Sequence, residues 1–215
     1  MNIFIKIIFI LSSVTIYSQK IGIVSNVNPT MGYVFLKGAF KVVPVYQENL
    51  HFNILNFLEE YLKKENYSYE FSDSFDFSKL EDLNLKYINK KEIKYINEYC
   101  EKYGYDKILI LRKNTNNTNY HGGYMYGIND LNSNFGIAAL SSSKKRAFLF
   151  TNFLFYTFHK GDNDFKNIFG YVFTNHKFEE SIYDENMKLV NQSTILYFLS
   201  EYKNIITNDF DKFLK

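Results

Sequence analysis

The segment EYCEKYGYDKILIL, residues 98–111, decides the fold of this chain. Its first half continues an apolar stripe through Ile93, Ile96 and Cys100 at helical spacing, and Gly104 is the residue type that commonly ends a helix. The apolar run at residues 106–111 has the length and composition of a strand buried on both faces of a sheet. A helix that turns directly into a buried strand is typical of an α/β layer.

The residues before this segment continue the alternation of strands and helices. A β-branched run predicts a strand over residues 20–27, and internal glycine and proline favour a bent or edge strand over residues 32–45. Apolar residues three and four apart predict an amphipathic helix over residues 48–65. A short strand over residues 67–71 and a second helix over residues 87–103 complete the first half.

The second half changes to closely spaced strands. Strand-like runs cover residues 120–128, 134–140, 146–159 and 167–174, with polar loops between them, and a third amphipathic helix is predicted over residues 194–214. Strands with short polar connections pair as antiparallel neighbours. The predicted fold class is therefore α/β (α+β), with a single mixed β-sheet, an antiparallel meander in its second half and about three amphipathic helices.

Residues 148–158 form an unusually aromatic strand segment. Alternating positions such as Phe148 and Phe150 are apolar, and so are the positions between them, such as Leu149 and Phe153. Both faces of the segment are therefore apolar, which indicates either a strand covered on both faces or a strand exposed to a partner.

Residues 1–18 have the pattern of a cleavable export signal. One charge, Lys6, precedes the apolar run at residues 7–11, and polar residues follow. The run is too short to cross a bilayer of ~30 Å as a helix. We predict a signal peptide over residues 1–18 and a single globular domain over residues 19–215, located in the periplasm or outside the cell; a retained membrane anchor is the alternative.

Cysteine count and charge exclude several classes of protein. Cys100 is the single cysteine, so no internal disulfide is possible, and no thiol near the predicted cleavage site could carry a lipid. We therefore predict no stable membrane anchor after signal cleavage. The 25 Lys and Arg residues nearly balance the 23 Asp and Glu residues, for a formal net charge of +2. This balance predicts no nucleic-acid partner.

The order of these elements resembles a group of exported bacterial α/β domains. The resemblance rests on the strand IGIVSNV, the following ribbon and helix, the segment EYCEKYGYDKILIL, a hydrophobic strand pair at residues 148–158 and 168–173, and the final helix. In this respect the chain is similar to the amino-terminal domain of the Tol-system protein TolB and to CsgG-type periplasmic domains. The resemblance implies an envelope-associated role with an envelope protein or surface component as partner, and it brings no catalytic residues.

Two local motifs are candidate sites. His121 precedes two glycines, whose backbone N–H groups could turn toward an oxyanion, and a flexible entry to a strand is the other interpretation. Lys144, Lys145 and Arg146 form a basic cluster beside the aromatic segment, which suits a phosphate-bearing polymer or lipid headgroup. A solvated hairpin tip that protects the next strand from aggregation is the alternative for this cluster. Histidine spacing predicts no metal site, and no motif predicts a cofactor.

These observations lead to two hypotheses on function. The first is a non-enzymatic, envelope-associated binding or assembly module that acts through an exposed sheet edge or through the aromatic segment. The second is an exported hydrolase whose site is assembled around His121 from dispersed residues.

Overall fold

The computed structural model describes residues 19–38, 43–80, 90–113, 131–163, 166–169 and 174–214. The described residues form ten strands, three α-helices and one 3₁₀ turn, Phe77–Lys79. The strands are β1 (Lys20–Ser25), β2 (Thr30–Lys37), β3 (Val43–Asn53), β4 (Ser68–Phe71), β5 (Lys107–Lys113), β6 (Phe135–Leu140), β7 (Arg146–Thr151), β8 (Phe153–His159), β9 (Lys166–Phe169) and β10 (Thr174–Lys177). The helices are α1 (Ile54–Lys64), α2 (Lys90–Tyr103) and α3 (Gln192–Leu214).

The strands are divided between two five-stranded sheets. The first sheet has the order β4-β1-β5-β8-β9, and the second has the order β10-β7-β6-β2-β3. Both are mixed, because β1 pairs in parallel with β4 and β5, and β2 pairs in parallel with β6, whereas the other neighbours are antiparallel. The structure confirms the mixed α+β class with three helices, and it corrects the single predicted sheet to two.

The structure confirms the helix, the glycine turn and the buried strand predicted for residues 98–111. Helix α2 ends at Tyr103, and Gly104 adopts the left-handed conformation with φ of 69°. Strand β5 follows, with all of its residues buried except the last. Strands β1 and β4 and helix α3 also confirm their predictions, with ends shifted by a few residues.

The start of the first predicted helix was wrong. Residues 48–53 continue β3 and pair with β2, and the helix begins only at Ile54. The Asn53 side chain fixes this boundary, because its Oδ1 accepts hydrogen bonds from the backbone N–H groups of Leu55 (2.9 Å) and Asn56 (3.1 Å). Accordingly, the predicted strand at residues 32–45 is part of a two-strand ribbon, β2 and β3.

Two predicted strands of the second half are each split between the sheets. Residues 146–159 form β7 in the second sheet and β8 in the first, with only Asn152 between them. Of the predicted strand at residues 167–174, residues 167–169 belong to β9 in the first sheet and Thr174 begins β10 in the second, whereas residues 170–173 lie outside the described residues. The predicted strand at residues 120–128 and the predicted export signal at residues 1–18 lie outside the described residues.

One hydrophobic core joins the two sheets. Its side chains come from the inner faces of both sheets and from helices α1 and α3. Phe135 of the second sheet contacts Phe153 of the first edge to face, with ring centroids 5.8 Å apart, and Tyr202 of α3 stacks on Phe135 at 5.0 Å. Helix α2 packs instead on the outer face of the first sheet, where Ile96 and Cys100 are fully buried.

The C-terminal end of α3 is held by a buried lysine of the first sheet. The Lys107 ammonium donates hydrogen bonds to the carbonyl oxygens of Phe213 (3.3 Å) and Leu214 (3.1 Å). A cation at this position satisfies carbonyls that the helix leaves unpaired and interacts favourably with the helix dipole. No helix of the described residues is long and apolar enough to cross a membrane.

Substitution of Phe135 tests the joint core. We expect Phe135→Ala to lower the free energy of unfolding by about 3–5 kcal/mol, because it removes a fully buried ring that contacts both sheets and α3. Leu196→Ala on α3, where the side chain is 60% exposed, is the control and should change stability by less than about 0.5 kcal/mol. Urea unfolding followed by circular dichroism measures both, and equal losses would contradict a central role for Phe135.

Candidate functional site

The outer face of the second sheet carries the candidate site. Because side chains alternate along a strand, Met31, Tyr33 and Phe35 of β2 enter the joint core, whereas Val34 and Leu36 point to the opposite face. The strand register aligns the outward residues in rows across the sheet. The central row contains Gln47, Val34, Ala138, Phe148 and Asn175.

The centre of this face is apolar and buried. Val34, Leu36, Ala138, Phe148 and Phe150 form a separate cluster and are each at most 6% exposed. The side chains of β8 are also buried, apart from partly exposed His159 at its end. The aromatic segment is therefore covered, and it does not present an apolar patch to a partner. Polar side chains surround the apolar cluster, and two cavities lie among them.

The first cavity, of about 360 Å³, has an amide-rich wall. Val34 and Phe150 contribute apolar surface to its lining. The polar residues that line it come from the loop before β2, from β3 and from the segment before β6: Asn28, Gln47, Glu48, Asn49, Asn132 and Ser133.

Hydrogen bonds fix the wall of the first cavity. The Asn132 backbone N–H donates to Gln47 Oε1 at 2.9 Å, and Asn28 Nδ2 donates to the Asn132 carbonyl oxygen at 2.8 Å. Glu48 pairs with Tyr33, whose side chain enters the joint core, and its carboxylate accepts from the Tyr46 hydroxyl (3.0 Å) and the Leu189 backbone N–H (3.3 Å), two residues that pack against that core. This arrangement suits hydrogen bonding to a neutral polar ligand.

Two glycines shape the floor beside this cavity. Gly32 and Gly136 are partners in the β2–β6 pair, and a Cβ atom on Gly136 would lie only 1.8 Å from the Gly32 carbonyl oxygen. A Cβ on Gly32 would lie 2.4 Å from Ser133 Oγ. Both positions therefore need glycine for close packing.

The second cavity, of about 480 Å³, is cationic. Arg146 of β7 and Lys177 of β10 are directly opposed across the strand pair. The remaining lining residues are two serines of the β6–β7 hairpin, one amide and two apolar side chains: Ser142, Ser143, Asn175, Leu140 and Phe148.

Of the sequence-predicted basic cluster, Arg146 alone lines either of these two cavities. Lys144 and Lys145 lie exposed in the hairpin, where their carbonyl oxygens accept hydrogen bonds from the backbone N–H groups of Ile182 and Phe178, both at 2.8 Å. Sequence reasoning missed Lys177, which lies in a separate strand with no local basic motif.

The predicted hydrolase centre is not tested by the described residues. His121 and its two glycines lie outside them. His51, His159 and His176 belong to three different strands, and His176 packs on the Tyr197 ring at 4.1 Å. Within the described ranges, no cluster of three or more His, Cys, Asp or Glu residues could hold a metal ion.

A second polar cluster, at the end of β4, fixes a loop. The Tyr99 hydroxyl lies 2.6 Å from Ser72 Oγ and 3.0 Å from Ser74 Oγ, and Ser74 donates to the Tyr103 hydroxyl at 2.8 Å. Two hydrogen bonds lower the pKa of Tyr103. The larger effect comes from Ser74 and the smaller one from the neighbouring Lys102. These bonds attach the loop after β4 to helix α2, and the four hydroxyls satisfy one another.

Cys100 is a buried core residue, as its place on the apolar stripe predicts. It is fully buried beside Ile96, and burial raises the pKa of its thiol to about 12. Because the thiolate is the reactive form, we expect the thiol to react slowly in the folded protein.

Thiol labelling tests this burial. At pH 8 the raised pKa lowers the thiolate fraction of Cys100 about a thousandfold relative to an exposed thiol of pKa 9.0. We expect Ellman's reagent to react at least that much more slowly with the folded protein than with the protein in concentrated urea. Rapid stoichiometric labelling of the folded chain would show that Cys100 is accessible.

Comparison with known proteins gave no match to a protein-family model, to a curated protein sequence or to a solved structure. The similarity to TolB and CsgG-type domains therefore stays a prediction.

Proposed function

We propose that this chain is an exported, non-enzymatic binding module that holds small ligands on the outer face of its second sheet. The observation that carries the proposal is the pair of cavities on that face, each of which combines apolar surface with polar side chains. Ligand sites in proteins are commonly concave, of about 300–1,000 Å³, with a few placed polar groups beside apolar surface.

The polar groups of these cavities favour binding over catalysis. The described lining residues offer amides, hydroxyls, a guanidinium and an ammonium, and the one carboxylate among them, Glu48, already accepts two hydrogen bonds. Among the described residues that line them there is no histidine or cysteine that could act as base or nucleophile. The ligand-binding role agrees with the envelope-associated role that the sequence resemblance implies.

The export step is supported by the charge and apolar pattern of residues 1–18. After expression of the full chain in a bacterium with two membranes, we expect a periplasmic or secreted product whose intact mass corresponds to a start near Gln19. The double substitution Ile8→Asp and Ile10→Asp interrupts the apolar run and should leave the uncleaved chain in the cell. An uncleaved cytoplasmic product from the unmodified chain would refute export.

Blocking each cavity tests the binding face. A library of small polar and anionic compounds would be screened against the chain by saturation-transfer NMR. Asn49→Trp and Asn175→Trp each place an indole at the rim of one cavity and should remove the compounds that bind there. Asn56→Trp, at an exposed position of α1, is the matched control and should retain all of them.

The proposal fails if no compound binds the unmodified chain, or if every bound compound survives both cavity substitutions. Circular dichroism of each variant confirms that a loss of binding does not come from unfolding.

A further inference from the structure

The second cavity contains two opposed positive charges. Arg146 and Lys177 are cross-strand partners, and among the described residues no carboxylate forms an ion pair with either of them. Like charges directly opposite each other destabilise a strand pair. Both side chains are exposed, so water screens part of this repulsion, and an anionic ligand in the cavity would relieve the rest.

The hairpin beside this pair is anchored on both sides. The Ser141 backbone N–H donates to the Leu36 carbonyl oxygen at 2.9 Å, and the Ser143 N–H donates to the Leu140 carbonyl oxygen at 3.1 Å. The carbonyl oxygens of Lys144 and Lys145 are bonded to the segment after β10. Because the loop is held in place, Ser142 and Ser143 can meet a ligand at a low cost in conformational entropy.

The number and type of donors favour a phosphate monoester. Such a group carries about −1.5 to −2 charges at pH 7 and three strong acceptor oxygens. The cavity offers two positive charges and further donors from Ser142, Ser143 and Asn175. The planar guanidinium of Arg146 can bind two phosphate oxygens at once. A single carboxylate would neutralise only one of the two cations.

The lining also contains apolar surface. Leu140 lies half-buried beside the polar groups, and Phe148 is almost fully buried. Inorganic phosphate has no group that could contact Leu140, whereas an ester with an apolar substituent has one.

We propose that Arg146 and Lys177 bind the phosphate of an apolar phosphate monoester, whose substituent contacts Leu140. This inference rests on the proposed ligand-binding function of the second sheet and names the ligand class of its cationic cavity. A soluble ester and the headgroup of a phosphatidic-acid lipid share this chemistry.

Calorimetric titration with phenyl phosphate at low ionic strength tests the proposal. We expect phenyl phosphate to bind more tightly than inorganic phosphate or benzyl alcohol, because only the ester engages both parts of the cavity. Arg146→Gln and Lys177→Gln should each weaken binding about 10- to 100-fold, the usual effect of losing a hydrogen bond to a charged group. Lys144→Gln and Lys145→Gln remove the same charge nearby but outside the cavity, and should change affinity less than threefold.

Thermal unfolding separates a binding role from protection of the edge strand. Removal of one like charge should raise the melting temperature of ligand-free Lys177→Gln by about 1–3 °C at low salt. The same variant should lose the stabilisation that phenyl phosphate gives the unmodified chain. Lys177 could instead serve only to keep the edge strand β10 from pairing with other chains. In that case the variant will aggregate more and will bind phenyl phosphate as before. This result would overturn the proposal.

Vesicles identify the source of the phosphate. Binding to phosphatidylcholine vesicles that contain phosphatidic acid, but not to vesicles of phosphatidylcholine alone, indicates the lipid headgroup. Binding to phenyl phosphate without vesicle binding indicates a soluble ester. If phenyl phosphate binds no better than benzyl alcohol while other compounds still occupy the outer face, the phosphate inference is wrong and the binding function stands.

Discussion

The contact of Phe135 with Phe153 is the interaction on which the rest of this structure depends. The two rings belong to different sheets, and Tyr202 of α3 stacks on the first of them. Their burial therefore requires both sheets and the C-terminal helix together. With α1 and α3 occupied in this joint core and α2 on the first sheet, no helix of the described residues packs on the outer face of the second sheet. The two cavities lie on that face.

Elements with local signals could be predicted from the sequence, and elements defined by distant pairing could not. Helix α2 and strand β5 carry their own apolar pattern and a glycine between them, so residues 98–111 sufficed. Leu50 and Ile54 have helical spacing, but pairing with β2 holds residues 48–53 in a strand until Asn53 caps the helix. Residues 146–159 contain no glycine or proline, so nothing in the sequence marks a break at Asn152. Their division between two sheets follows from tertiary packing alone.

The candidate site was predicted only where its residues are adjacent in sequence. Arg146 belongs to a basic cluster that is visible in the chain, whereas its partner Lys177 is isolated and becomes relevant only through the register of β7 and β10. The amide-rich cavity gave no signal, because asparagine is abundant throughout the sequence and the lining residues come from three separate segments. His121 was prominent for the opposite reason, since two glycines follow it directly.

The division of one continuous run at Asn152 has a consequence for how the chain folds. Strands of the two sheets alternate along the sequence, so neither sheet corresponds to a continuous fragment that could be excised and fold alone. The parallel pair of β2 and β6 joins residues about a hundred positions apart, and such pairing requires closure of long loops before it is stabilised. The architecture therefore favours a slow folding reaction and cooperative loss of both sheets together, because the chain passes repeatedly from one sheet to the other.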